Sequence, residues 1–178
     1  MAGKAVSGPE ALSTPLLFAV LQATFSDVHP FCDHILQSDQ SAMDKGRPGW
    51  VGRKACARHV LTYSAGQLAA SVAVTRTLGF RPSWSALLAG TAVNAVTHYV
   101  IDRREPLKKL LRGKVFDKSR YLERSTVQRR PGVVDDTGPG TALMECDQAA
   151  HRLIGVLASL TTAWIATRSV RRPGGPGR

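Results

Sequence analysis

The residues of this chain best suited to chemistry are its histidines and the aspartates spaced against them. His29 precedes Asp33, His98 precedes Asp102 and Asp147 precedes His151, each at i,i+4, and His59 opens an apolar stretch. Four residues apart on a helix is the same face, one turn along. Imidazole and carboxylate together suit Zn²⁺, Mn²⁺ or Fe²⁺, and such pairs on facing helices are a common way to build a metal site. The candidate ligands are therefore His29, Asp33, His59, His98, Asp102, Asp147 and His151. These exceed what one tetrahedral ion needs: they could hold two metals, or one metal with Asp33 or Asp147 as general base and the rest in support. His34 falls on a different face from His29 and reads as a surface residue.

Simpler roles exist for some of these side chains. Asp147 at a helix start could cap it by accepting backbone N–H groups. Asp102 at a helix C-terminus opposes the macrodipole and needs a nearby cation, which Arg103 or Arg104 could supply. Asn94 continues the stripe of His98 and Asp102, and Tyr63 lies one turn from His59, so both are expected to support the ligands. Cys32, Cys56 and Cys146 fall near the same positions, as ligands or as small buried hydrophobes.

Four apolar segments must carry these residues: 15–37, interrupted by Pro30, then 59–80, 83–101 and 149–167. Each is roughly 18–22 residues, close to what crosses a hydrocarbon core. Small residues such as Ser64, Gly66, Ala70, Gly90 and Gly155 suit close helix approach in a membrane or in a tight soluble bundle. The pattern predicts an all-α fold, an up-down four-helix bundle in which every candidate ligand lies at one end. Residues 103–145 form a long basic insert between the third and fourth helices. A short amphipathic helix begins there at Pro106, and 129–140 reads as a flexible loop. The expected organisation is a flexible N-terminus at 1–12, one helical domain over 13–170 and a disordered tail at 171–178.

The 178 residues carry a formal charge of +11, concentrated in 45–58 and 103–130. In an up-down arrangement both runs fall on one side. That satisfies the positive-inside rule for an integral membrane protein with both termini outside; a soluble cytoplasmic bundle is the alternative. The excess points to an anionic partner, lipid headgroups or nucleic acid, met through Lys108, Lys109, Arg112 and Lys114. Three cysteines leave an odd thiol and no disulfide framework, and no cleavable signal peptide is apparent.

The elements His29-Pro-Phe-Cys-Asp33-His-Ile-Leu-Gln37-Ser-Asp39, Lys45, His59, His98-Tyr-Val-Ile-Asp102 and Asp147-Gln148-Ala-Ala-His151 resemble a family of bacterial and phage membrane proteins, the domain-of-unknown-function 3307 family. The resemblance runs over about residues 15–167. It implies a membrane-embedded helical protein and supports the His/Asp site without naming a reaction. Pro30 departs from the family pattern, which has apolar residues there. Proline disfavours helical geometry at His29, which makes the orientation of that side chain the least secure of the set.

Two functions of different class follow. One is a metal-dependent hydrolase of the membrane, its basic loops drawing in an anionic substrate. The other is a non-enzymatic accessory membrane protein of a mobile element, of the plasmid transfer or spread type. It would hold DNA or anionic lipid on its basic face and self-associate through its helices.

Overall fold

The computed structural model describes residues 13–170; the termini expected to be flexible or disordered lie outside the described residues. The chain is mostly helical. Helix α1 (Ser13–Pro30) runs into a π-helical turn (Phe31–Ile35), followed by α2 (Asp39–Asp44), α3 (Gly49–Thr77) and α4 (Trp84–Asp102). Then come α5 (Glu105–Arg112), α6 (Ser119–Arg124), a hairpin of β1 (Val127–Arg130) and β2 (Val133–Asp135), and α7 (Ala142–Val170). Of the long helices, α1 packs on α3 and α7, and α4 packs on the same two. The all-α class expected from the apolar segments is the class observed.

Several boundaries differ from expectation. Pro30 does not break the first helix. It has helical dihedrals, φ −62° and ψ −34°, and the chain continues by widening into the π turn, where the Leu36 N–H donates to the Phe31 carbonyl at 3.1 Å. A proline has no N–H to give the preceding turn, and a π turn is one way a helix absorbs such a defect. Helix α3 starts at Gly49, well before His59. Its basic residues Arg53, Lys54 and Arg58 belong to this helix and lie on its exposed face, opposite buried Gly52, Ala55 and Cys56. Helix α7 likewise starts at Ala142. The Thr141 hydroxyl caps it by accepting from the Met144 N–H at 3.3 Å, so Asp147 sits inside the helix and is not its cap. Within 129–140, expected as a flexible loop, 136–140 is a turn leading towards α7 and the rest belongs to the β1–β2 hairpin. The hairpin's turn at Gly132 takes φ +74°. Asp135 pins the far side by accepting from the Thr137 and Gly138 N–H groups at 2.8 and 3.0 Å.

The turn between α3 and α4 shows why the long helices stop where they do. The Phe80 N–H reaches the Thr75 carbonyl at 2.8 Å and the Gly79 N–H reaches Arg76 at 3.1 Å. This paired closure needs a left-handed residue, and Gly79 supplies φ +83°. Pro82 and the cap Ser83, which accepts from the Ala86 N–H at 3.3 Å, then start α4.

Polarity along the long helices is inverted. Their buried positions include Thr24, Ser64, Gln67, Ser71, Thr75, Asn94, Ser159 and Thr162, while Leu16, Leu61, Leu88, Val96, Leu153, Leu157, Leu160 and Trp164 are exposed. The buried threonines turn their hydroxyls back on their own helix: Thr24 to Val20, Thr75 to Ser71, Thr162 to Ala158. A hydrophobic cluster of Leu17, Leu21, Phe25, Ala86, Ala158, Ala163 and Ala166 closes one end of the long helices. A smaller one, Leu107, Leu111, Leu122, Ala142 and Leu143, ties α5 and α6 to the start of α7. Leu107 and Leu111 of α5 are thus spent on this cluster, while Leu110 stays exposed.

Helices α4 and α7 approach most closely at Gly90, where an added Cβ would collide with the Thr162 hydroxyl and come within 2.8 Å of the Ala158 carbonyl. At Gly155 the same atom would lie 3.5 Å from the Phe25 Cβ, an ordinary contact. Gly90→Ala is therefore expected to destabilise the protein by about 1–3 kcal/mol. Gly155→Ala should be neutral or stabilising by up to about 1 kcal/mol through helix propensity. Denaturant unfolding of the two variants reads the difference.

Candidate metal centre

The ends of α1, α3, α4 and α7 that face away from the hydrophobic cluster meet at one buried constellation. Asp33 reaches it from the π turn, His59 from α3, and His98 and Asp102 from the last turn and end of α4. All four are 2% exposed or less. The His59 Nε2 lies 3.0 Å from Asp33 Oδ1, 3.1 Å from Asp102 Oδ2 and 3.0 Å from His98 Nε2. The His98 Nε2 lies 3.1 Å from Asp102 Oδ2 and 3.8 Å from Asp33 Oδ1. Ligand atoms about 2.1 Å from one ion stand roughly 3.0 Å apart in octahedral and 3.4 Å apart in tetrahedral arrangement. The observed spacings bracket these values.

Proton-only pairing satisfies this arrangement poorly. Both Asp102 oxygens are buried without a hydrogen-bond donor aligned on them, despite the short approaches. The one ammonium near Asp102, Lys45 Nζ at 3.1 Å from Oδ1, meets a single charge of the Asp33 and Asp102 pair and leaves room for a further cation. The donor set is two imidazoles and two carboxylates, a hard-to-borderline mixture suited to Zn²⁺, Mn²⁺ or Fe²⁺. Asp33, His59, His98 and Asp102 could thus hold a metal ion.

A second, overlapping group joins Asp102 to Asp147 and His151 on α7. The His151 Nδ1–H donates to the Asp147 carbonyl at 2.9 Å and also faces Asp147 Oδ2 at 3.3 Å. In the neutral ring that puts the lone pair on Nε2, which has no hydrogen-bond partner among the described residues and lies 3.9 Å from Asp102 Oδ1.

His29 is gathered into the same end but stands outside both groups, because each of its nitrogens is engaged. The phenol oxygen of Tyr63 accepts from the Gln67 and Asn94 amides at 3.1 and 3.4 Å, so its own proton points to His29 Nδ1 at 2.9 Å. The Nε2–H of His29 then donates to Gln148 Oε1 at 3.2 Å, and Gln148 Nε2 donates to Asp33 Oδ2 at 3.1 Å. This directed chain holds the outer oxygen of Asp33 and leaves the inner one facing the histidines. His34 is half-exposed on the outer side of Asp33. Cys32 and Cys56 are buried thiols that join neither ligand group, Cys56 donating to the Tyr99 carbonyl at 3.6 Å.

Lys45, named among the elements of the family resemblance but not among the candidate ligands, is a further member of the site. Its Nζ lies 3.1 Å from Asp102 Oδ1 and 3.5 Å from Asp33 Oδ1. Burial opposes its charge, but Asp102 and Asp33 prevail and raise its pKa. Burial would likewise raise the Asp33 carboxyl; His59 and Lys45 outweigh it and hold that group well below the usual carboxylate range. The cation facing Asp102 is Lys45, not Arg103 or Arg104 as expected. The Arg103 guanidinium instead donates to the carbonyls of Lys45 and Arg47, both at 2.6 Å, and so anchors the segment that delivers Lys45. Its basic position in sequence concealed this role, since a lysine within a charged run reads as solvated.

A cavity of about 480 Å³ opens onto the constellation. Asp33, Lys45, Asp102 and Asp147 form its polar side, with Met43, Leu143 and Met144 opposite. Comparison with family models, with curated proteins and with solved structures finds no match for this chain.

The directed chain through His29 carries its own expectation. Tyr63→Phe leaves three buried polar groups without their shared partner and is expected to cost about 1–3 kcal/mol in denaturant unfolding. In a His29→Leu background the same replacement should cost clearly less; equal costs in the two backgrounds would remove the chain.

Proposed function

We propose that this chain is a membrane-embedded, divalent-metal-dependent hydrolase acting on an anionic substrate at its basic end. The observation that carries the proposal is the buried Asp33, His59, His98 and Asp102 set opening onto a cavity that also holds Asp147 and Lys45. A site buried on all sides would favour a structural ion; one that faces a cavity leaves room for a substrate. A divalent ion held there makes water acidic enough to act as a nucleophile at neutral pH. Asp147 lines the cavity, is held by His151 and is positioned to accept the proton, whereas Asp33 belongs with the ligands. The resemblance to the domain-of-unknown-function 3307 family is part of this reading.

The membrane placement rests on polarity. Among the described residues one helix, α7, is long and apolar enough by itself to cross a membrane. The other three long helices are nonetheless free of charge over 13–26, 59–75 and 84–101, as α7 is over 153–167. These stretches rise roughly 21–27 Å at about 1.5 Å per residue, near the thickness of a hydrocarbon core. Apart from the hydroxyl residues Thr62 and Ser85, their exposed faces are largely Leu, Val, Ala and Trp, while most hydroxyls and amides point inward, which is the order a lipid solvent favours. Lys109, Arg112 and Lys114 are exposed beyond that zone, and would face anionic headgroups. Lys108 is paired with Asp136 at 3.0 Å.

Three measurements test the proposal together. The protein should stay in the membrane pellet through alkaline carbonate extraction, and elemental analysis should find about one Zn, Mn or Fe per chain. Asp102→Asn and His59→Ala should lose that metal. Asp147→Asn should keep it while lowering the hydrolysis of responsive members of a panel of chromogenic anionic esters about 10²–10⁴-fold. A purified chain without stoichiometric metal, or an Asp147→Asn variant of unchanged rate, would end the hydrolase reading.

A further inference from the structure

We infer that the cavity over the centre takes a phosphate group carried on an apolar chain, so that the anionic substrate is a lipid-borne phosphate monoester. This rests on the metal reading above and names its substrate class. Two cations face the cavity. Lys45 donates to Asp33 at 3.5 Å and is ion-paired with Asp102 at 3.1 Å, which leaves an ammonium proton for a ligand. Arg104 lines the same wall, and its guanidinium makes a single long hydrogen bond, 3.5 Å to the Ala42 carbonyl.

The pose of Arg104 is built rather than incidental. Its backbone takes φ +61°, a region non-glycine residues seldom occupy and which clusters at functional sites. Its stem lies where a Cβ on Gly46 would stand, 2.6 Å from the Arg104 Cδ. A strained backbone and a glycine cradle together direct one arginine to the cavity wall. An arginine and a lysine beside a divalent cation form the usual electrostatic clamp for a phosphoryl group.

Charge balance makes the binding metal-dependent. With the imidazoles neutral and no ion bound, Asp33, Asp102 and Asp147 outweigh the two cations, and Asp135 is occupied by Arg129 at 3.1 Å. One divalent ion cancels Asp33 and Asp102, leaving Lys45 and Arg104 against Asp147. The site then attracts an anion. The apolar chain has its own surface. Ala42, Met43, Leu143 and Met144 line the cavity, and the π turn with the two residues after it, which contribute His34 and Gln37 to it, exposes Phe31, Ile35 and Leu36. A soluble sugar or nucleotide phosphate has no use for that lip. In the reaction, a water oxygen bonds to phosphorus as the ester P–O bond breaks; the water's proton passes to Asp147 and on to the departing alcohol oxygen.

The test uses the full chain in maltoside micelles, loaded with Mn²⁺ and checked by elemental analysis. Binding is read from ³¹P relaxation of inorganic phosphate and of hexyl phosphate. Relaxation enhancement should require Mn²⁺, and hexyl phosphate should bind at least tenfold tighter than inorganic phosphate. Arg104→Gln should weaken both at least tenfold with the Mn²⁺ content unchanged. Replacing Met43 and Met144 by Ser should abolish the preference for hexyl phosphate and leave inorganic phosphate binding intact. A loaded protein that relaxes neither phosphate overturns the inference while the metal centre stands. Equal affinity for the two ligands means a site for free phosphate and overturns the lipid assignment, as does a preference that survives the Met43 and Met144 replacements. A chain that takes up no Mn²⁺, Zn²⁺ or Fe²⁺ fails earlier, at the centre itself.

Discussion

Two carboxylates buried side by side are the constraint on which the rest of this structure depends. Asp33 and Asp102 both lie within 3.5 Å of one ammonium and within 3.1 Å of one imidazole nitrogen. Like charges roughly 4–6 Å apart repel by about 3–4 kcal/mol even at an effective dielectric constant near 20. No fold keeps such a pair without positive charge brought to it; Lys45 supplies one unit, and His59, 3.0 and 3.1 Å from the two carboxylates, can carry another when protonated. This explains why so many separate elements end at one point. The π turn presents Asp33, α3 presents His59, α4 presents His98 and Asp102, and Arg103 anchors the carbonyls on either side of Gly46 so that Lys45 can reach inward.

The same constraint shapes the helices above the site. A polar centre at one end of four helices is compatible with a polar seam along their interior, provided each group finds a partner. The threonines manage this within their own helix, and the Gln67, Asn94 and Tyr63 side chains manage it between helices. Small residues at Gly90, Ala158 and Ala163 then let α4 and α7 come close enough to shield that seam. What remains for the outer surface is apolar. Inverted polarity and a buried charged centre are thus two sides of one packing solution rather than independent features.

Much of the site was legible in the sequence, because i,i+4 spacing survives into structure and an alternating helical order gathers the ends. The spacing could not say which side chains would be intercepted on the way. His29 has the same separation from Asp33 as His98 has from Asp102, yet Tyr63 and Gln148 claim both of its nitrogens. Pro30 looked like a break, and the π turn absorbed it. The start of α3 was hidden because Arg53, Lys54 and Arg58 mask a buried face of Gly52, Ala55, Cys56 and His59. Lys45 was hidden for a related reason: hydropathy assigns a lysine to water, and only the buried carboxylates show why this one is not there.

Lys45 also bears on how many ions the centre would hold. Seven His and Asp residues converge, and Asp102 belongs to both ligand groups, an arrangement that on ligand count alone would suit two metals. Its Oδ1, however, is the oxygen that meets the Lys45 ammonium at 3.1 Å, and His151 Nε2 stands 3.9 Å from that same atom. A second divalent ion bound there would sit against an ammonium in a buried site. The net charge of Asp33, Asp102, Lys45 and one divalent ion is about +1, while a second ion would raise it to about +3, or +2 with Asp147, with little water to screen the excess. Lys45 in effect occupies the place of the second cation. Asp147 and His151 are then left free of ligation, held to each other at the cavity wall, where a carboxylate oriented by an imidazole can pass a proton.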